Sequence, residues 1–131
     1  MHTAEKLAKV LAAHKHVSRV NHPSLPDYPQ KELADQMFGK NGYCAMLSFI
    51  VPEDMDKIDQ FMLALRFPRY APTLGGLHTT LSRPVTSSHM GVPDATRRKM
   101  GITPGMIRVS VGIEDADDLI ADFENALKVF D

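Results

Sequence analysis

The residue whose type and setting best suit recognition chemistry is Arg108. It lies in Met106-Ile107-Arg108-Val109-Ser110-Val111-Gly112-Ile113, where the β-branched Ile107, Val109 and Val111 favour a strand. Strand side chains alternate, so those three point to one face, and Arg108 and Ser110 point to the other, away from the apolar core. On general grounds an arginine on a half-exposed sheet is simply solvated. A guanidinium fork on a rigid strand also suits two-point capture of a carboxylate or phosphate. The pattern alone leaves both readings open.

Other reactive side chains form weaker constellations. The six histidines include His14 and His16 near a helix end, His22 in a loop, and His78 and His89. None has a Cys or carboxylate partner at ligand spacing, so no metal site is expected. Arg97-Arg98-Lys99 resembles a phosphate site in composition, but such a run on a surface helix is expected to be solvated. Cys44 falls inside the apolar run Tyr43–Val51 and is expected to be a small buried core residue. No Gly-rich phosphate loop and no Ser/His/Asp arrangement stands out.

The elements that position these residues follow from periodicity and punctuation. Thr3 to His14 places Leu7, Val10 and Leu11 at helical spacing, with Lys6 and Lys9 opposite. Pro23, Pro26 and Pro29 then rule a loop. Glu32 to Phe38 reads as a short helix stopping at Gly39, with Asn41-Gly42 as the turn. The run from Tyr43 to Val51 reads as a strand in the middle of the sheet, ending at Pro52. Asp54 to Leu65 reads as a helix burying Met55, Ile58, Met62 and Leu65, closed by Pro68.

Further along, Arg69–Thr73 and Thr79–Ser82 read as strands around the Gly75-Gly76 turn. A short helix starts at Pro93-Asp94 and ends at Gly101. Asp115, with Asp118 three residues on, begins a last helix that buries Leu119, Ile120, Phe123, Leu127 and Phe130. These elements imply an α+β fold, a mainly antiparallel sheet of about four strands covered by helices on one face.

Composition sets outer bounds. The 131 residues make one domain, 44% hydrophobic and 24% charged, with a formal net charge of -1, so no basic field invites nucleic acid and no polybasic stretch invites a membrane. The segment Met1–Val20 carries Glu5, Lys6, Lys9 and Lys15, which interrupt any membrane or signal helix. A single cysteine forms no internal disulfide and fits a reducing compartment, so a cytoplasmic protein is expected.

The Arg108 segment, from Ile107 to Asp115 and on through Asp117-Asp118-Leu119-Ile120-Ala121-Asp122, resembles the C-terminal segment of the trans-sulfuration enzymes. These are the pyridoxal-phosphate (PLP) enzymes of cysteine and methionine metabolism: cystathionine synthases and lyases, methionine γ-lyase and homoserine sulfhydrylases. His22-Pro23-Ser24-Leu25-Pro26-Asp27-Tyr28-Pro29-Gln30 is similar to the family's His-Pro-Gly-Leu-Pro-Ser-His-Pro-Gln. Thr73-Leu74-Gly75-Gly76 is similar to its Ser-Leu-Gly-Gly, and Arg83-Pro84 to its His-Pro or Leu-Pro. The resemblance covers nearly the whole chain. It implies that residues 1–131 are one domain equivalent to the family's small C-terminal domain, with the large PLP-binding domain absent.

By this resemblance Arg108 binds the substrate α-carboxylate. Thr73 stands where the family usually has a serine near that carboxylate, so it keeps the hydroxyl and is a second substrate-binding residue. The Schiff-base lysine, the partner of the pyridine nitrogen and the phosphate cradle come from the family's large domain. Lys6, Lys9, Lys15, Lys31, Lys40, Lys57, Lys99 and Lys128 lie in segments that match other parts of the family, so no catalytic or cofactor-binding residue is assigned. PLP is expected in the complete enzyme and not covalently on this chain alone.

The expected partners are a sulfur-containing amino acid in the complete enzyme, a lysine-bearing N-terminal domain or full-length relative, and a second copy in a dimer or larger homo-oligomer. The expected function is that of the C-terminal domain of a methionine γ-lyase-like or cystathionine γ-lyase-like enzyme, not catalytic alone. The alternative is a stand-alone binding or oligomerisation module derived from one. Pro72 takes a position that varies between reaction types in the family, and His78, Thr80, Ser24 and Asp27 depart from its pattern, which leaves the particular substrate and reaction open.

Overall fold

The computed structural model describes residues 2–131. In chain order the elements are α1 (His2–Ala12), β1 (Arg19–Asn21), α2 (Lys31–Phe38), β2 (Met46–Ile50), α3 (Met55–Ala64), β3 (Arg69–Tyr70), β4 (Thr80–Ser82), α4 (Asp94–Lys99), β5 (Met106–Ser110) and α5 (Ala116–Leu127), with single 3₁₀ turns at Pro84–Thr86 and Lys128–Phe130. The α+β class and the mainly antiparallel sheet agree with the sequence reading. The sheet has five strands in the order β1-β2-β5-β4-β3, and only β3 and β4 run parallel.

The extra strand is β1. It has one buried residue, Val20, between exposed Arg19 and half-buried Asn21, too short a span to display alternation. Pairing with β2 creates it. The centre of the sheet is β5, flanked by β2 and β4, rather than the apolar run of β2. That run is also buried on one face only. Leu47 and Phe49 are inside, whereas Met46, Ser48 and Ile50 are half-buried on the other face.

Helices α1, α3 and α5 cover the inner face, where Phe49, Phe61 and Phe123 meet with ring centroids 6.1 to 6.2 Å apart. Leu7, Leu11, Ile58, Leu81, Ile107, Val109, Leu119 and Leu127 complete this core, each fully buried large side chain contributing about 1.5–3 kcal/mol. Two helix faces differ from the expected ones. In α1 the buried residues are Ala4, Leu7, Ala8 and Leu11, while Val10 is only half-buried. In α3 they are Ile58 and Phe61, with Met55 exposed at its N-terminal end. Small alanines let α1 approach closely, a feature that a search for large apolar residues overlooks.

Helix starts follow the acids. The Asp54 side chain accepts the Lys57 N–H at the start of α3, and Asp115 accepts the N–H groups of Asp117 and Asp118 at the start of α5, each satisfying donors that lack an intrahelical partner. Helix α3 ends at Ala64, before Pro68, and its C-terminal side is closed by Asp122. This buried carboxylate of α5 accepts the N–H groups of Arg66 and Phe67.

The outer face of the sheet carries no helix from the core layer. Register places Asn21, Ser48, Arg108 and Ser82 in one row across β1, β2, β5 and β4, and Asn21 donates its side-chain N–H to Ser48 Oγ at 3.0 Å. Arg108 is therefore the one cation in a polar row at the centre of the sheet.

Candidate functional site

The alternation of β5 holds. Ile107 and Val109 are fully buried, and Arg108 is half-buried on the outer face. One guanidinium nitrogen of Arg108 donates a long hydrogen bond, 3.5 Å, to the main-chain carbonyl of Thr73. Among the described residues it enters no ion pair. Most of its donor capacity is thus uncommitted.

The other arginines near acids are spent differently. Arg98 grips Glu53 through two bonds of 3.0 and 3.1 Å and Asp94 at 2.9 Å. Arg97 faces Asp94 at 3.6 Å. The basic run of α4 lies at the surface as expected, with Arg98 and Lys99 exposed, and Arg97 and Arg98 also pair with acids from one turn back and from the distant Glu53. Arg83 is buried and reaches Asp59 at 3.0 Å.

Thr73 belongs to a connection that leaves edge strand β3, crosses the outer face and returns into β4. Its carbonyl receives Arg108 and also the Thr80 hydroxyl at 3.1 Å. Two residues on, the Gly75 N–H donates to Ser110 Oγ at 3.0 Å. The left-handed φ of 72° at Gly75 favours glycine. The loop then reaches the end of β5, where the Ile113 N–H donates to the Leu77 carbonyl at 2.9 Å.

Its last anchor is Thr79, fully buried. The Thr79 N–H and hydroxyl donate to the two carboxylate oxygens of Glu114, both at 2.7 Å, and Thr79 Oγ1 accepts the Gly112 N–H at 2.9 Å. Burial by itself would raise the Glu114 pKa, but the two hydrogen bonds from Thr79, together with a bond from its own backbone N–H and the nearby His78, hold the carboxyl below its ordinary value. A Cβ at position 112 would lie 2.2 Å from the Leu77 carbonyl oxygen, so the contact requires glycine. Sequence reasoning named Arg108 and Thr73, and the structure brings them together through the Thr73 main chain. It missed the roles of Thr79, Ser110 and Glu114, whose partners are remote in the chain, and that of Thr80, which reaches back across the loop to Thr73.

Cys44 is exposed, contrary to expectation. It precedes β2 in irregular chain, and its Sγ lies 3.2 Å from the Met46 carbonyl. The buried residue there is His22, 1% exposed. Its Nε2 meets the Cys44 carbonyl at 3.0 Å, and its Nδ1 meets Ser24 Oγ at 2.7 Å. Burial lowers its pKa, opposed by the bond to Cys44. Among the described residues no three His, Cys, Asp or Glu side chains converge as a metal-binding group, and no helix is long and apolar enough to cross a membrane.

A model of the Cys/Met metabolism PLP-dependent enzymes matches residues 1–128. The chain belongs to this family. It is 40% identical to the cystathionine β-lyase of Bacillus subtilis over 126 residues, which is 96% of this chain and 32% of that protein. It superimposes with a TM-score of 0.89 and 31% identity on an O-acetylhomoserine (thiol)-lyase structure from Campylobacter jejuni that carries a pyridoxyl-lysine, covering 97% of this chain and 30% of that one. A cystathionine γ-lyase from Lactobacillus plantarum complexed with L-serine gives a TM-score of 0.87 and 33% identity, covering 98% and 33%. The chain thus spans about a third of the length of the curated relatives it matches.

The residues described here do not by themselves fit the cofactor's aldehyde. Schiff-base chemistry wants a desolvated lysine, and every lysine of this trans-sulfuration chain is exposed or half-exposed and lies off the strands. The outer face offers a guanidinium and hydroxyls, groups whose hydrogen bonds suit an anion.

Proposed function

We propose that this chain is the substrate-carboxylate domain of a PLP-dependent enzyme acting on a sulfur-containing amino acid. The observation that carries the reading is the uncommitted guanidinium of Arg108, fixed on the central strand of the open face with one long bond to Thr73. An α-carboxylate would complete it as a bidentate pair, the geometry in which arginine surpasses lysine. Thr73, exposed beside it, would present its hydroxyl to the same substrate. A lysine-bearing domain equivalent to the large domain of the relatives would supply the cofactor, whose role is to stabilise carbanions at the substrate.

Exposed Leu74, Leu77 and Ile113 at 65, 67 and 76% flank the loop and are assigned to docking against that domain or a second copy. Identity of 40% to a complete lyase over nearly the whole chain favours this reading over a stand-alone module. The direct test is an NMR titration of the chain with L-methionine. The Arg108 Nε–H signal should shift with saturation on the order of millimolar, as one charged pair allows, and Arg108→Ala should abolish the response at the loop amides. No response in the wild-type chain at tens of millimolar ligand would overturn the clamp as a property of this domain.

A further inference from the structure

We propose that Glu114 is a positioning residue for the Arg108 site, acting through Thr79 to hold the 73–79 loop in place over the sheet. This rests on the carboxylate-clamp reading for its functional consequence, but its structural part stands on geometry alone. From Pro72 to His78 every residue is exposed, so no apolar side chain anchors the loop in the core. What holds it is a short series of polar contacts: Thr80 and Arg108 on the Thr73 carbonyl, Ser110 on the Gly75 N–H, Ile113 on the Leu77 carbonyl, and Glu114 on Thr79.

The Glu114 contact is the only one of these in which a charged acceptor receives two donors at 2.7 Å, and charge-assisted bonds are roughly twice as strong as neutral ones. It also closes a small ring. Glu114 holds Thr79, the Thr79 hydroxyl receives the Gly112 N–H, and the Leu77 carbonyl rests against the bare Cα of Gly112. The ring joins the return of the loop to the end of the strand that carries Arg108. The long Arg108–Thr73 bond is too weak to fix the loop, so the distance between loop and guanidinium is set by this ring together with Ser110.

The test compares the wild-type chain with Glu114→Gln, close in shape, and with Ser110→Ala, which leaves the ring intact. Amide hydrogen exchange and the Arg108 Nε–H signal are read without ligand, and L-methionine affinity is read afterwards. Gln retains one acceptor oxygen and loses the charge and the second acceptor. Exchange at Gly75, Thr79 and Ile113 should therefore accelerate about tenfold or more, with Phe49 and Val109 unchanged, and the Arg108 signal should move. Affinity should fall about three- to tenfold by the same reasoning.

Ser110→Ala should free Gly75 while leaving Thr79 protected. Unchanged exchange and an unchanged Arg108 signal in Glu114→Gln would overturn the positioning role. If the wild-type chain takes no L-methionine, the clamp reading fails, while exchange and the Arg108 signal still decide the role of Glu114. A freed loop with undiminished affinity would overturn the functional half of the proposal.

Discussion

The Asp122 carboxylate, only 5% exposed, accepts the main-chain N–H of Arg66 through both oxygens, at 3.0 and 2.9 Å. A second donor, the Phe67 N–H, adds a bond of 3.0 Å. One side chain of α5 thereby terminates the segment that leaves α3, and it locks two core helices to each other. Asp122→Ala strands those donors in a part-buried setting, and each unsatisfied buried group costs about 1–3 kcal/mol, less where water reaches it. A loss of about 2–4 kcal/mol in urea unfolding is expected, seen as a lower midpoint at unchanged m-value. A shift under half a kcal/mol would show that solvent reaches these amides.

Arg108 should matter to turnover and little to folding. Assembled with the lysine-bearing part of a family enzyme, Arg108→Ala should cut kcat/KM by about a hundredfold to a thousandfold, the range expected when one partner of a desolvated charge pair is removed. Arg108→Lys keeps the charge but loses the fork, so it should recover only part of that loss. Thermal unfolding of both variants should stay close to that of the wild type, because among the described residues Arg108 takes one long bond and no ion pair. Turnover unaffected by Arg108→Ala would remove it from the substrate site.

Exposure of Cys44 makes a simple chemical prediction. A disulfide reagent should modify one thiol per chain under native conditions, because accessibility is a main condition for reaction. A core cysteine would react only at the rate of unfolding. Cys44→Ser should change stability by less than about 0.5 kcal/mol, as for other surface positions. Protection of the thiol in native buffer would restore the buried reading.

Much of the fold was legible because period and punctuation agree with the final burial. Ile107, Val109 and Val111 alternate against Arg108 and Ser110, and all three apolar residues are buried. Asp115 marks a helix start and does cap it. Legibility stopped where a residue's state depends on a remote partner. Arg19–Asn21 is a strand only because β2 lies beside it, and Cys44 falls just outside the pairing, which starts at Met46 although the apolar run begins at Tyr43. In the candidate site, Arg108 stood out as an isolated cation among apolar neighbours. Glu114 did not, since it opens an acidic stretch typical of a helix start, and its ties to Thr79 cross 35 residues. Asp122 was likewise hidden, an acid in the last helix with no local sign of burial.

The segments that follow α1 and α5 are joined by a pH-sensitive contact. Asp131 accepts from Lys15 at 2.8 Å and meets His16 Nε2 at 2.7 Å. The Lys15 ammonium, and after it His16, holds the Asp131 carboxyl down to about 2. Its unfolded value is near the ordinary aspartate pKa of about 3.9, so the folded state is the stronger acid. The contact therefore adds stability above that unfolded value and loses it as pH falls through the folded value. Both charged groups are largely exposed, so added salt should weaken the effect. Following the Asp131 side-chain carboxyl by carbon NMR should give a midpoint well below that of a free aspartate. Lys15→Ala should raise it more than His16→Ala, in keeping with the order of the two causes. A wild-type midpoint at the ordinary value would mean that the contact does not persist in solution.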